Sequence, residues 1–138
     1  EQLKKFPSFI KRRRHNWERL YKALEDIQDK IILPEPAENS KPSWFGFLIS
    51  VKPETGLDRN DVTRYIEEHN VQTRLLFSGN LIKHPCFDQI RGTDAYRVVG
   101  GLANTEFIMN NTFWVGVYPG MADKMIDYMA KVIKEAVK

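Results

Sequence analysis

Pro34, Pro36 and Pro42 leave no room for a helix between Ile31 and Pro42, because each removes a backbone N–H and fixes φ. The chain is thereby divided into a helix-patterned start and a mixed remainder. From about Leu3 to Ile27, the residues Phe6, Ile10, Trp17, Leu20, Tyr21, Leu24 and Ile27 recur at helical spacing. That predicts one long amphipathic helix, with Pro7 as a kink or as the first position of its main part. Trp17 and Tyr21, one turn apart, read as core. Residues 31–42 read as an irregular connector with a turn at Asn39-Ser40.

After the connector the period changes. Ser43–Val51, SWFGFLISV, is the clearest strand. Phe45, Phe47, Ile49 and Val51 are expected on one face, with Trp44, Gly46, Leu48 and Ser50 on the other. Gly46 among aromatics predicts close approach of a backbone or a ligand. A second helix is expected from about Arg59 to His69, with Asp58 as N-cap, Asp61 in an acidic first turn and Asn70 as a left-handed cap. Val62, Tyr65, Ile66 and His69 form its inner stripe. Val71–Phe77 follows as a short strand, Cys86–Gly101 as a loop with one short extended piece near Asp94–Val98, and Asn104 as N-cap of a helix carrying Phe107, Ile108 and Met109. A third strand covers Thr112–Val117. The last helix covers about Ala122–Ala136, with Met125, Ile126, Met129, Val132, Ile133 and Ala136 inward.

Helices thus alternate with too few strands for a doubly wound parallel sheet. The expected fold class is α+β, a small, mostly antiparallel sheet of three to four strands with helices packed on it. Residues 1–138 read as a single domain, 1–30 as a connecting helix and 43–138 as the α+β core. The chain opens at Glu1, directly in charged, helix-like sequence, which suggests a piece of a longer protein.

No apolar run approaches the roughly 18 residues of a membrane helix. The single cysteine, Cys86, excludes an internal disulfide and fits a reducing, cytoplasmic setting. The net charge is +3, but Lys4, Lys5, Lys11, Arg12, Arg13 and Arg14 crowd the first turns. That block is either a solvated helix face or a patch for an anionic partner.

There is no Gly-rich phosphate loop, no HExxH and no Cys/His set at metal spacing. Cys86, between Pro85 and Phe87, reads as packing. The stretch that looks built for binding is Val71–Pro85, VQTRLLFSGNLIKHP. It places a charged arginine in a strand and then breaks at Ser78-Gly79-Asn80, where a glycine can take φ > 0. Loops held by rigid elements commonly carry binding groups. Arg74 offers a planar fork for carboxylate or phosphate, and Asn80 can donate and accept toward a hydroxylated ligand. From the residues alone, Arg74 is equally a surface ion-pair partner and Asn80 equally a turn former. Tyr118 joins them after the third strand.

Three segments, PSWFGFLISVK, EEHNVQTRLLFSGNLIKHP and NNTFWVGVYPG, together resemble the C-terminal region of the DegT/DnrJ/StrS family of sugar-modifying, pyridoxal-phosphate-type enzymes. Within that family they look like the branch of CDP-4-keto-6-deoxy-D-glucose 3-dehydrases of lipopolysaccharide O-antigen synthesis. The resemblance implies the small C-terminal domain of a fold-type-I enzyme, inactive alone, joined by its first helix to a large domain. It also implies pyridoxamine phosphate as cofactor and an iron–sulfur cluster, both held by the large domain and not by residues of this chain, together with a nucleotide-sugar substrate, a homodimer and a reductase partner. Sibling aminotransferases commonly carry a His-Tyr-Pro run where this chain, aligned on Thr73 and Pro85, has Leu76-Phe77-Ser78. That departure favours the dehydrase branch over an aminotransferase. By position, Phe77, Ser78 and Asn80 would face the sugar, with Arg74 nearby. A stand-alone module for an anionic partner, using the basic first helix, is the reading outside this family.

Overall fold

The computed structural model describes residues 1–138. α1 runs Gln2–Leu24 and ends in a 3-10 turn over Glu25–Ile27, so the long-helix expectation holds, with Pro7 inside it. The buried stripe is confined to the C-terminal half: Trp17, Leu20 and Leu24 are buried, while Leu3 and Phe6 are exposed. The first turns therefore stand off the core, and the helical period there does not mark packing.

The strands are β1 (Ile31–Ile32), β2 (Gly46–Val51), β3 (Thr73–Leu75) and β4 (Thr112–Gly116). They form one four-stranded sheet in the order β1-β2-β4-β3, with every neighbouring pair antiparallel. The helices are α2 (Arg59–Glu68), α3 (Ala103–Asn111) and α4 (Asp123–Ala136). The fold is α+β, as expected. One addition corrects the connector: Ile31 pairs with Val51 and Ile32 with Ser50, making an edge strand too short for alternation to reveal.

One face of the sheet makes the core. Phe47, Ile49, Val51, Phe113 and Val115 are all essentially inaccessible, and they meet Leu20, Leu24, Val62, Ile66, Ile126 and Ile133 from the helices. Period 2 dictates this, since alternate residues of a strand share a face. The alternation fails just before β2. Trp44 turns inward and stacks on Trp17, ring centroids 4.6 Å apart, whereas Phe45 lies exposed 5.2 Å from the Trp114 ring. Both side chains are on the faces opposite to expectation, because the ladder begins only at Gly46 and the pleat does not extend to residues outside it. Gly46 is indeed closely approached, by a side chain: a Cβ there would lie 2.6 Å from Cε3 of Trp114.

α2 follows its signals closely. Asp58 accepts hydrogen bonds from the Asn60 and Asp61 backbone N–H groups, and Asn70 takes φ +60° after the helix. α3 does not: its cap position is Leu102, and Asn104 lies inside the first turn without capping it. Residues 94–98 form a turn and coil, with no extended pairing. Two 3-10 segments, Leu81–Lys83 and Pro85–Ile90, occupy much of the long loop instead. In α4, Met125 is exposed rather than inward.

α1 is fastened to α4 and to the turn before it. Arg12 donates to the Met121 carbonyl at 2.8 Å and to Asp123 at 2.6 Å, and His15 contacts Asp123 at 3.1 Å. Arg19 donates to both oxygens of Asp127, at 2.7 and 2.9 Å. Arg14 donates to the carbonyls of Lys41 and Pro42. Two arginines of the basic block, Arg12 and Arg14, are therefore spent on intramolecular bonds, which weakens the anionic-partner reading. No helix is long and apolar enough to cross a membrane.

Candidate functional site

The sheet's outer face carries Leu48, Trp114 and Arg74 in one row, because Leu48 and Arg74 both pair with Trp114 across the ladders. Beside this row lies an open groove of about 640 Å³. Arg74, Trp114 and Gly116 form its sheet side, Tyr118 its end, and Lys124, Met125 and Tyr128 its helix side. α1 holds the far wall in place: Asn16, fully buried, donates to the Tyr118 carbonyl at 2.8 Å. The Tyr128 hydroxyl donates to the His69 carbonyl at 3.0 Å, tying α4 to the end of α2. The groove thus joins two of the binding-type residues, Arg74 and Tyr118.

Arg74 also has a local task. Its Nη1 donates to the Thr73 carbonyl at 2.8 Å, and the Thr73 hydroxyl and backbone N–H both donate to Glu67. Thr73 sits on β3, an edge strand of the sheet. Its N–H and C=O are both occupied, which blunts an edge that would otherwise invite another strand. The remaining guanidinium donors of Arg74 stay exposed toward the groove.

Phe77, Ser78 and Asn80 do not line the groove; they form a separate turn past the end of β3. β3 stops at Leu75, earlier than the alternation suggests, because Phe77 takes φ +44° and cannot continue a strand. Phe77 is 86% exposed. Gly79 takes φ +62°, as the turn chemistry requires, and a Cβ there would lie 2.5 Å from Cγ of Met109. Ser78 is exposed, and its carbonyl accepts from His84 Nε2. Asn80 is only 3% exposed, with Nδ2 donating to Glu106 Oε1 at 2.5 Å and its backbone N–H donating to the Met109 sulfur. Lys83 binds the other Glu106 oxygen, and these two hydrogen bonds, that of Lys83 foremost, hold the Glu106 carboxyl below the usual carboxylate range.

Sequence reasoning missed Glu106 and Met109. Their partner Asn80 lies 26 residues away, and no short-range pattern links them. It also misjudged Cys86, which is exposed rather than packed.

The groove lacks the groups that a pyridoxal-type cofactor requires. Such a cofactor needs a buried amine or base at its reactive carbon and a firm partner for its ring nitrogen. The groove's one lysine, Lys124, is exposed, and no carboxylate lines the groove. The residues of the groove do not fit the cofactor.

The family model for DegT/DnrJ/EryC1/StrS aminotransferases matches residues 1–134. The chain belongs to this family. Among its curated relatives, it is 43% identical over 136 residues to a dTDP-4-dehydro-2,6-dideoxy-D-glucose 3-dehydratase of Saccharopolyspora spinosa, covering 99% of this chain and 28% of the relative. It is 41% identical over 134 residues to the lipopolysaccharide biosynthesis protein RfbH of Salmonella typhimurium, covering 97% of this chain and 30% of the relative. Among solved structures, an E. coli GDP-4-keto-6-deoxy-D-mannose-3-dehydratase with bound hydrated PLP superposes with a TM-score of 0.81 at 29% identity, over 96% of this chain and 33% of that one. The chain spans about a third of the length of these family members.

Proposed function

We propose that this family domain is the C-terminal small domain of a pyridoxamine-phosphate-dependent nucleotide-sugar 3-dehydrase, which removes the C3 hydroxyl of a 4-keto-6-deoxy sugar. The observation that carries the reading is the 43% and 41% identity, along nearly the whole chain, to a nucleotide-sugar 3-dehydratase and to RfbH. The Leu76-Phe77-Ser78 run, in place of the aminotransferases' His-Tyr-Pro, points the same way. The cofactor would be held by the rest of the enzyme, where it would supply an amine. An iron–sulfur cluster, a second copy of the enzyme and a reductase complete the proposed system. O-antigen synthesis in the cytoplasm is its proposed setting.

In this reading the domain binds and orients. Arg74, with its free donors beside Trp114, offers a fork to the anionic part of a nucleotide sugar. The exposed Phe77 and Ser78 form a rigid wall against the sugar. Asn80 acts from beneath by fixing the turn, since its amide is buried against Glu106. Placement of this kind lowers a barrier without contributing a reacting group.

The test is the absorbance spectrum of the full-length enzyme with and without added pyridoxamine phosphate. A cofactor band together with broad iron–sulfur absorption supports the 3-dehydrase. A cofactor band alone, shifted by borohydride as a lysine-bound cofactor is, assigns an aminotransferase of the same family. Absence of any cofactor band contradicts the enzyme reading.

A further inference from the structure

The turn over residues 77–80 is held in an unfavourable shape. A bulky residue at φ +44° is a genuine outlier, and such strain persists only where surrounding structure over-determines it. Phe77 gains nothing from burial in return, being almost fully exposed. What over-determines the turn is α3. Met109 fills the space that a side chain at position 79 would need, and its sulfur accepts the Asn80 N–H. Glu106, one turn earlier on the same helix, takes the Asn80 amide with one oxygen and Lys83 with the other. Lys83 and His84 then close the turn from its far side, His84 through the Ser78 carbonyl. A buried asparagine amide that lost its acceptor would carry the full cost of desolvation.

From this geometry we infer that Glu106 is a positioning residue for the sugar site: through Asn80 it locks the strained Phe77–Asn80 turn in the shape that meets substrate. The inference rests on the proposed placement of that turn against the sugar. Glu106 itself touches no substrate. Its carboxylate bridges α3, Asn80 and Lys83, so the turn moves as a rigid extension of the helix rather than as a loop. Pre-organisation by such supporting contacts is what keeps a site within a fraction of an ångström of its productive shape.

The test is a double-mutant cycle on the full-length enzyme, read as KM and kcat for the nucleotide sugar, with the cofactor spectrum and melting temperature recorded for each variant. Glu106→Ala and Asn80→Ala should each raise KM about tenfold, the scale of one orphaned buried polar group. The cofactor spectrum should not change. The double variant should be no worse than Asn80→Ala alone, because the two groups act as one contact. Glu106→Gln, which keeps an oxygen for the Asn80 amide, should recover KM to within about threefold of wild type. A raised KM at an unchanged melting temperature separates positioning from a general loss of stability. KM for Glu106→Ala within about twofold of wild type, while Asn80→Ala is impaired, overturns the role of Glu106. So does a double variant whose effect is the product of the singles. If Asn80→Ala, Ser78→Ala and Phe77→Ala all behave as wild type, the placement of the turn in the site fails instead, and the role of Glu106 falls with it.

Discussion

Gly46 and Asp58 show how single residues set the frame. Gly46 has no side chain because Trp114 occupies the place of one, 2.6 Å from where a Cβ would sit. Gly46→Ala must displace the Trp114 ring or bend β2, and should cost about 1–3 kcal/mol by overpacking. Urea denaturation of wild type and variant measures this; an unchanged midpoint would contradict the close approach. Asp58 accepts two backbone N–H groups at the start of α2, so Asp58→Ala should cost about 1 kcal/mol, with the urea slope unchanged. Arg74 lies at the border of structure and function. Arg74→Ala removes the donor to the carbonyl of the buried Thr73, a structural loss, and also removes the one sheet cation facing the groove. In the full-length enzyme it should raise KM for the nucleotide sugar about tenfold or more, the scale of a lost charge-assisted hydrogen bond, with an unchanged cofactor spectrum. Wild-type kinetics would remove Arg74 from the site.

At the scale of elements, the attachment of α1 is electrostatic along one side and apolar along the other. The hydrogen bonds of Arg12 and His15 hold the Asp123 carboxyl below the usual carboxylate range, and that of Arg19 does the same for Asp127. Lys134 likewise depresses Asp26. A carboxyl whose folded pKa is lowered binds its proton less readily than in the unfolded chain, so its contribution is whole above the unfolded value and drains as pH falls. The window therefore opens below about pH 4, where free carboxylates titrate. Acidification should loosen the α1–α4 contact while β2 and β4, sealed by apolar residues, persist. Hydrogen exchange by residue should show α1 amides losing protection at about pH 3 before those of the central strands. Simultaneous loss everywhere would contradict a separable helix. These links were illegible in the sequence, since Arg12 and Asp123 lie 111 positions apart and only the folded chain brings them together. The helices and the two central strands were legible because their periods are long enough to count, as in the Trp17, Leu20, Leu24 stripe. β1, with two residues, and the inverted Trp44 and Phe45 were not, because a period cannot be read where the ladder has not begun.

For the whole molecule, the sheet and its helices form a stiff block from which two features project, the groove beside Trp114 and the turn at Phe77–Asn80. The sequence marked both through Arg74, Tyr118, Ser78 and Asn80, but not their separation. Neither did it show that Asn80 points into the protein, because burial there depends on Glu106 and Met109 of a distant helix. Family membership accounts for the block, and the proposed sugar chemistry accounts for a strained, exposed aromatic that packing does not explain. The most direct test is to incubate the full-length enzyme, pyridoxamine phosphate and a suitable reductase with CDP-, dTDP- and GDP-linked 4-keto-6-deoxy sugars, and to identify the product by mass spectrometry and NMR. The expected product is a nucleotide sugar that has lost its C3 oxygen. A product that keeps that oxygen and carries an amino group at C4 would contradict it.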